Sequence, residues 1–168
     1  MTVLKDVSLY WPKLDPKNPN KAFDPQKPVW EVKAVTEDKN VAKSWKDLEL
    51  NVKTEEKDGK VSYYAYLKRR ATYEKTGDPN QPVKVVDGQL MPLDPNSIGN
   101  GSVGNIQIKQ WPWEFNKRKG TSTEIVAIQV TKLVEFNAGN GLAFEEIGET
   151  EVISAEAVEQ ASEDDLWN

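Results

Sequence analysis

The sequence predicts an all-β fold: a small five-stranded barrel with one helix and long loops, followed by a disordered acidic C-terminal tail. Only one stretch has helical apolar spacing, whereas five have the β-branched content or alternation of strands. Segments rich in Pro, Asn, Asp and Gly at 11–28, 76–82 and 91–102 are loops, because these residues preset turn geometry or supply positive φ. Charge is divided along the chain. All 22 Lys and Arg lie within residues 1–132, whereas 133–168 hold 10 acids and no base, giving a mildly basic body with an acidic tail.

The elements follow in order. A strand covers Val7 to Trp11, and a second covers "VWEVKAV" at 29–35. In "DKNVAKSWKDLEL" Val41, Trp45 and Leu48 recur at spacings of four and three, so they share one helical face, with Lys43, Lys46 and Asp47 turned outward. Asp58-Gly59, flanked by extended residues, is a hairpin signal that leads into "VSYYAYLKR" at 61–69. "VGNIQIKQW" at 103–111 and "EIVAIQVTKLVEF" at 124–136 complete the five. After Phe136, "NAGNGLAF" reads as a joint. The body is therefore assigned to residues 1–144, and 145–168 is too acidic and too poor in large apolar residues to bury a core.

The chain has neither cysteine nor histidine, which removes disulfide scaffolds, Cys/His metal sites, thiol nucleophiles and histidine-based triads. No apolar run is long enough to span a membrane, and "MTVLKDVSLYW" lacks the pattern of a secretory signal; a cytoplasmic setting is expected. P-loop, dinucleotide and nucleophilic-serine motifs are absent. Paired carboxylates would suffice for a glycosidase or a magnesium-dependent nuclease, but those of the body sit in loops or beside lysines. No catalytic residue, metal or cofactor is assigned.

Alternation splits the run after the hairpin into two faces. Val61, Tyr63, Ala65 and Leu67 read as core; Tyr64, Tyr66, Lys68 and Arg70 form the other face, setting two rings beside two cations. Single-stranded nucleic acid needs that pairing, since bases stack on π faces regardless of sequence and phosphates follow positive charge. The alternative is a hydroxyl-tipped sheet face with solvating charges.

"NIQIKQWPWEFNKRKG" repeats the pattern. Ile106 and Ile108 point inward, so Lys109 and Trp111 face out, followed by Trp113, Phe115 and the cluster Lys117, Arg118 and Lys119 at a turn closed by Gly120. Pro112 lacks a backbone donor, which implies an edge or a strand end. Here the alternative is two buried tryptophans and an ordinary solvated hairpin tip. Trp30 and Trp45 read as core, and Trp11 fits either role.

The ending "ASEDDLWN" combines Glu163, Asp164 and Asp165 with an apolar tip, Leu166-Trp167. A tethered polyanion has a high effective concentration at a basic groove, so it occupies the groove until nucleic acid displaces it. Once released, Leu166 and Trp167 are an anchor for a partner's pocket, with the acids steering toward a basic rim.

Taken together, "SLYWPKLDPKNP", "YYAYLKRR", "NGSVGNIQIKQWPWEFNKRKGTS" running into "AIQVTKLVEF", and "EDDLWN" resemble the phage-encoded replicative single-stranded DNA-binding proteins. The resemblance implies an OB-like barrel that coats single-stranded DNA in phage DNA replication, recombination and repair, in the cytoplasm of the infected bacterial host. It implies no enzymatic activity. It also implies a tail that contacts phage or host DNA polymerase and primase-helicase. Two features depart from the family: the helix at 39–50 precedes the hairpin strand, whereas the usual OB order places it between the third and fourth strands, and Asn168 follows the aromatic Trp167.

Two other classes also present aromatic β surfaces. A carbohydrate-binding module does not need the lysines and arginines, and a virion structural or assembly protein would form large oligomers without nucleic acid. A tail that reaches its own groove also reaches a neighbour's, which leaves a homodimer by exchange open.

Overall fold

The structure, a computed structural model, describes residues 1–136; the acidic tail, with its boundary at 144, lies outside the described residues. In chain order the elements are β1 (Thr2–Lys13), β2 (Val29–Thr36), α1 (Lys39–Asp47), β3 (Lys53–Lys57), β4 (Lys60–Arg70), β5 (Lys84–Val86), β6 (Ser102–Phe115) and β7 (Arg118–Lys132), with a 3-10 turn at Pro95–Ser97. The fold is mainly β with one α-helix, as expected. The five-stranded barrel is corrected: seven strands form one sheet in the order β3-β4-β2-β1-β6-β7-β5, and the edge strands β3 and β5 do not pair, so the sheet is not closed.

The strands are positioned by alternation and by bulges that reset it. In β1 the register slips between Leu4 and Val7, with Asp6 at φ 54, so both apolar residues face the core at 4% and 0% exposure. A second irregularity in β1 sets Trp11 at φ 50, its N–H donating to Asn100 Oδ1 at 2.7 Å. Between Gln107 and Ile108 the β6–β7 register shifts, which turns Ile125 and Ile128 inward together. These two, with Ile106 and Ile108, are fully buried, and each contributes about 1.5–3 kcal/mol of transfer free energy.

The helix forms where expected. Asp38 caps it, accepting from the N–H groups of Asn40 (2.8 Å) and Val41 (3.3 Å), and Trp45 and Ala42 drive its inner face into the core. Glu49, left-handed at φ 62, ends it and lets the Leu50 N–H return to the Trp45 carbonyl at 3.1 Å. The tail of α1 then touches the β6–β7 hairpin: Gln110 donates to the Leu48 carbonyl at 2.7 Å, and Thr121 donates to Glu49.

Although unclosed, the sheet curls until β4 meets β7. Arg69 makes the junction. Its Nε donates to the Gln81 carbonyl at 2.6 Å and its Nη2 to Asn80 Oδ1 at 3.3 Å, while Nη1 serves the Glu124 carboxylate and the Ile125 carbonyl. A guanidinium that is 9% exposed needs such a full set of acceptors.

Candidate nucleic-acid interface

The outer face of β4 is built as its alternation requires. Ala65, Leu67 and Arg69 are buried, and Tyr64, Tyr66, Lys68 and Arg70 lie on the opposite side. Val61 departs from its assigned core face, being 43% exposed beside the turn of the β3–β4 hairpin. Tyr64 and Tyr66 meet edge to face with centroids 6.0 Å apart, and Lys33 Nζ of β2 stands 4.3 Å from the Tyr64 centroid. Much of the positive charge here is already answered. Lys33 pairs with Glu55 (3.2 Å), Lys68 faces Glu31 (3.9 Å), and Arg70 pairs with Glu74 (3.1 Å).

The β6–β7 hairpin is different. Lys109, Trp111, Trp113 and Phe115 occupy one face, opposite Glu124, Ser122, Gly120 and Arg118 in turn. Trp111 and Trp113 are each 42% exposed, and Phe115 is 72% exposed. The reading of these two tryptophans as core residues is thereby ruled out. Pro112 does not end the strand, since the ladder with β7 runs on through Pro112↔Thr121 to Phe115↔Arg118, but it does lie on an edge, because β1 pairs with β6 only as far as Ile108. The turn is Asn116-Lys117, both left-handed at φ 48 and 66, not a turn closed by Gly120.

Gly120 instead lies beneath Trp113. A Cβ there would fall 2.5 Å from the indole ring, so only glycine lets the ring lie flat across the strand. Alternation carries Arg118 to the aromatic face but sends Lys119, opposite Glu114, to the other. Lys117 stands at the tip. Lys109 Nζ is 5.7 Å from the Trp111 centroid and 3.3 Å from Glu124 Oε1, the carboxylate that also holds Arg69. Glu124 thus links Lys109 of the hairpin to Arg69 of β4.

Two residues escape sequence reading. Phe23, in the loop between β1 and β2, is 90% exposed with Lys68 Nζ 5.2 Å from its centroid. Nothing periodic marks it. Trp11, the tryptophan that fitted either role, is 62% exposed and lines a separate cleft of ≈ 340 Å³ with Phe136 and Asn96. On that rim the Asp15 carboxyl is held below the usual carboxylate range, first by the amide of Asn96 and then by the Lys17 N–H. Trp30 and Trp45 are core, as read. Glu163, Asp164, Asp165, Leu166 and Trp167 lie outside the described residues.

No family model and no curated protein sequence matches this chain. Solved structures do. A single-stranded DNA-binding protein from bacteriophage Enc34, in complex with ssDNA, aligns with a TM-score of 0.55 at 13% identity over 77% of this chain and 85% of that one. The protein gp2.5, a single-stranded DNA-binding protein encoded by bacteriophage T7, aligns with a TM-score of 0.53 at 14% identity over 90% and 99% of the two chains. The structural neighbours are therefore phage single-stranded DNA-binding proteins, and at this identity the likeness is one of fold.

Proposed function

We propose that this protein binds single-stranded DNA, largely without regard to base order, across the β6–β7 hairpin and the outer face of β4. One observation carries the reading most: Trp111, Trp113 and Phe115 project from one face of a hairpin whose tip bears Lys117 and Arg118, which make no ion pair among the described residues. Exposed rings in a row are poor surface chemistry unless something covers them, and unpaired cations beside them match a phosphate path. What the Enc34 and T7 proteins bind supports the same ligand. Binding, not catalysis, is the role that this surface supports.

The wider role rests on the sequence. In this reading the protein coats DNA during phage replication, recombination and repair in the host cytoplasm. Its residues 145–168 compete for the groove, recruit polymerase or primase-helicase through Leu166 and Trp167, and permit exchange between two copies.

Tryptophan fluorescence tests the ligand. Titration with oligo-dT should quench emission from Trp111 and Trp113, weaken at higher salt, and be faint with duplex. No response to any nucleic acid would sink the reading and turn attention to glycans and virion assembly.

A further inference from the structure

One part of the surface sets a nearly buried carboxylate among cations and rings. Phe23, Tyr64, Tyr66, Asn51, Lys53, Lys68 and Glu31 line a cleft of ≈ 450 Å³ over the β2–β4 face. Within it the Glu31 side chain is only 12% exposed. Its Oε1 accepts from Asn20 Nδ2 at 2.5 Å, and its Oε2 faces Lys68 Nζ at 3.9 Å. Lys53 and Lys68 can take a phosphate at the exposed lining, but a carboxylate repels a phosphodiester, so the part of a strand that reaches Glu31 is not its backbone. Nor does a partly exposed pair with Lys68, worth little in itself, explain why the loop holds Phe23 in the open beside it.

Resting on the single-strand reading above, we propose that this cleft is a base-selecting subsite. One base enters between Phe23 and Tyr66, donates an exocyclic amine hydrogen to Glu31 Oε2, and accepts from Lys68 Nζ on a neighbouring ring nitrogen or carbonyl oxygen. Cytosine, adenine and guanine each carry an amine with an acceptor in reach. Thymine carries no amine and fits less well: if its ring N–H donates to Glu31, one flanking carbonyl turns to Lys68 but the other is left against the carboxylate. The rest of the path remains sequence-tolerant, because a strand of mixed sequence slides until a suitable base fills the cleft.

The test compares affinities for oligo-dC and oligo-dT of equal length, at one salt concentration, for the wild type, Glu31→Gln and Phe23→Ala. Homopolymers put the same base in the cleft in every register, and comparing the dC/dT ratio between proteins cancels the difference in strand flexibility. Glu31→Gln keeps the bond from Asn20 and supplies an amide that also donates to thymine O4. It should move the ratio toward dT by about fivefold. Phe23→Ala, which removes an exposed ring from outside the core, should move the ratio the same way and weaken both strands. Unchanged ratios with binding intact overturn base selection and leave single-strand binding standing. If the wild type binds neither strand, the single-strand reading itself fails and the subsite with it.

Discussion

The outer face of β4 and the β6–β7 hairpin carry the same ingredients in different states. On the β2–β4 face Tyr66 is as open as the hairpin's tryptophans, but the cations are already engaged, Lys33 by Glu55, Lys68 by Glu31 and Arg70 by Glu74. On the hairpin Lys109 meets Glu124, but Lys117 and Arg118 at its tip have no acidic partner among the described residues. A charge that is already paired releases few counterions when a phosphate arrives, whereas a free one contributes in full. Composition therefore does not measure a binding surface; the state of its charges does. The hairpin should supply salt-sensitive affinity, and the β4 face stacking and selection.

The largest effect should come from the exposed indoles. Trp111→Ala or Trp113→Ala should each cost roughly 1–3 kcal/mol of single-strand affinity, read by titration of the folded variants. Undiminished affinity would remove that ring from the site. Next, the double variant Lys117→Gln/Arg118→Gln should lose on the order of tenfold in affinity at low salt. Its plot of log affinity against log salt should flatten by about 1.4, that is about 0.7 for each phosphate no longer neutralised. Lys68→Gln is the counterpart: with Glu31 beside it, that slope should hardly change, and a drop as large as the hairpin's would erase the distinction between the two regions.

Smaller still is Gly120→Ala. The new Cβ displaces the Trp113 ring outward into solvent, so stability should shift by less than about 1 kcal/mol while part of the Trp113 contribution to binding disappears. Asp15 lies away from both surfaces and serves as a control. Its folded-state pKa is lowered, so its stabilising contribution is present above the unfolded value and is lost as pH falls through the folded one. In Asn96→Ala the Asp15 carboxyl should titrate at higher pH, followed by NMR, with no change in DNA affinity.

Much of the fold is legible in the sequence where the local signal is periodic. The β4 face follows from a strict period of two, and α1 from the spacing of Val41, Trp45 and Leu48. Strand β3 is not, because "KTEEK" is exposed throughout and has no apolar face to reveal it. Strand β5, three residues paired in parallel with β7, depends on a distant partner that no local pattern encodes. Without those two the strand count is five, and a closed barrel follows. Pro112 marks an edge, as its missing donor implies, but not a strand end: β6 loses β1 beyond Ile108 while its ladder with β7 continues. Arg69 has a signal: alternation from Ala65 and Leu67 points it inward, and a buried arginine needs acceptors such as those at Glu124 and Ile125. Phe23 has none, since its place depends on how a long loop lies over the sheet.

The most direct measurement is photocrosslinking of the protein to a single strand substituted with 5-iododeoxyuridine, with the attached residues identified by peptide mass spectrometry. Crosslinks should concentrate at Trp111, Trp113 and Phe115. Attachment confined to other surfaces, such as the cleft beside Trp11, would contradict the assignment of the hairpin as the principal binding element.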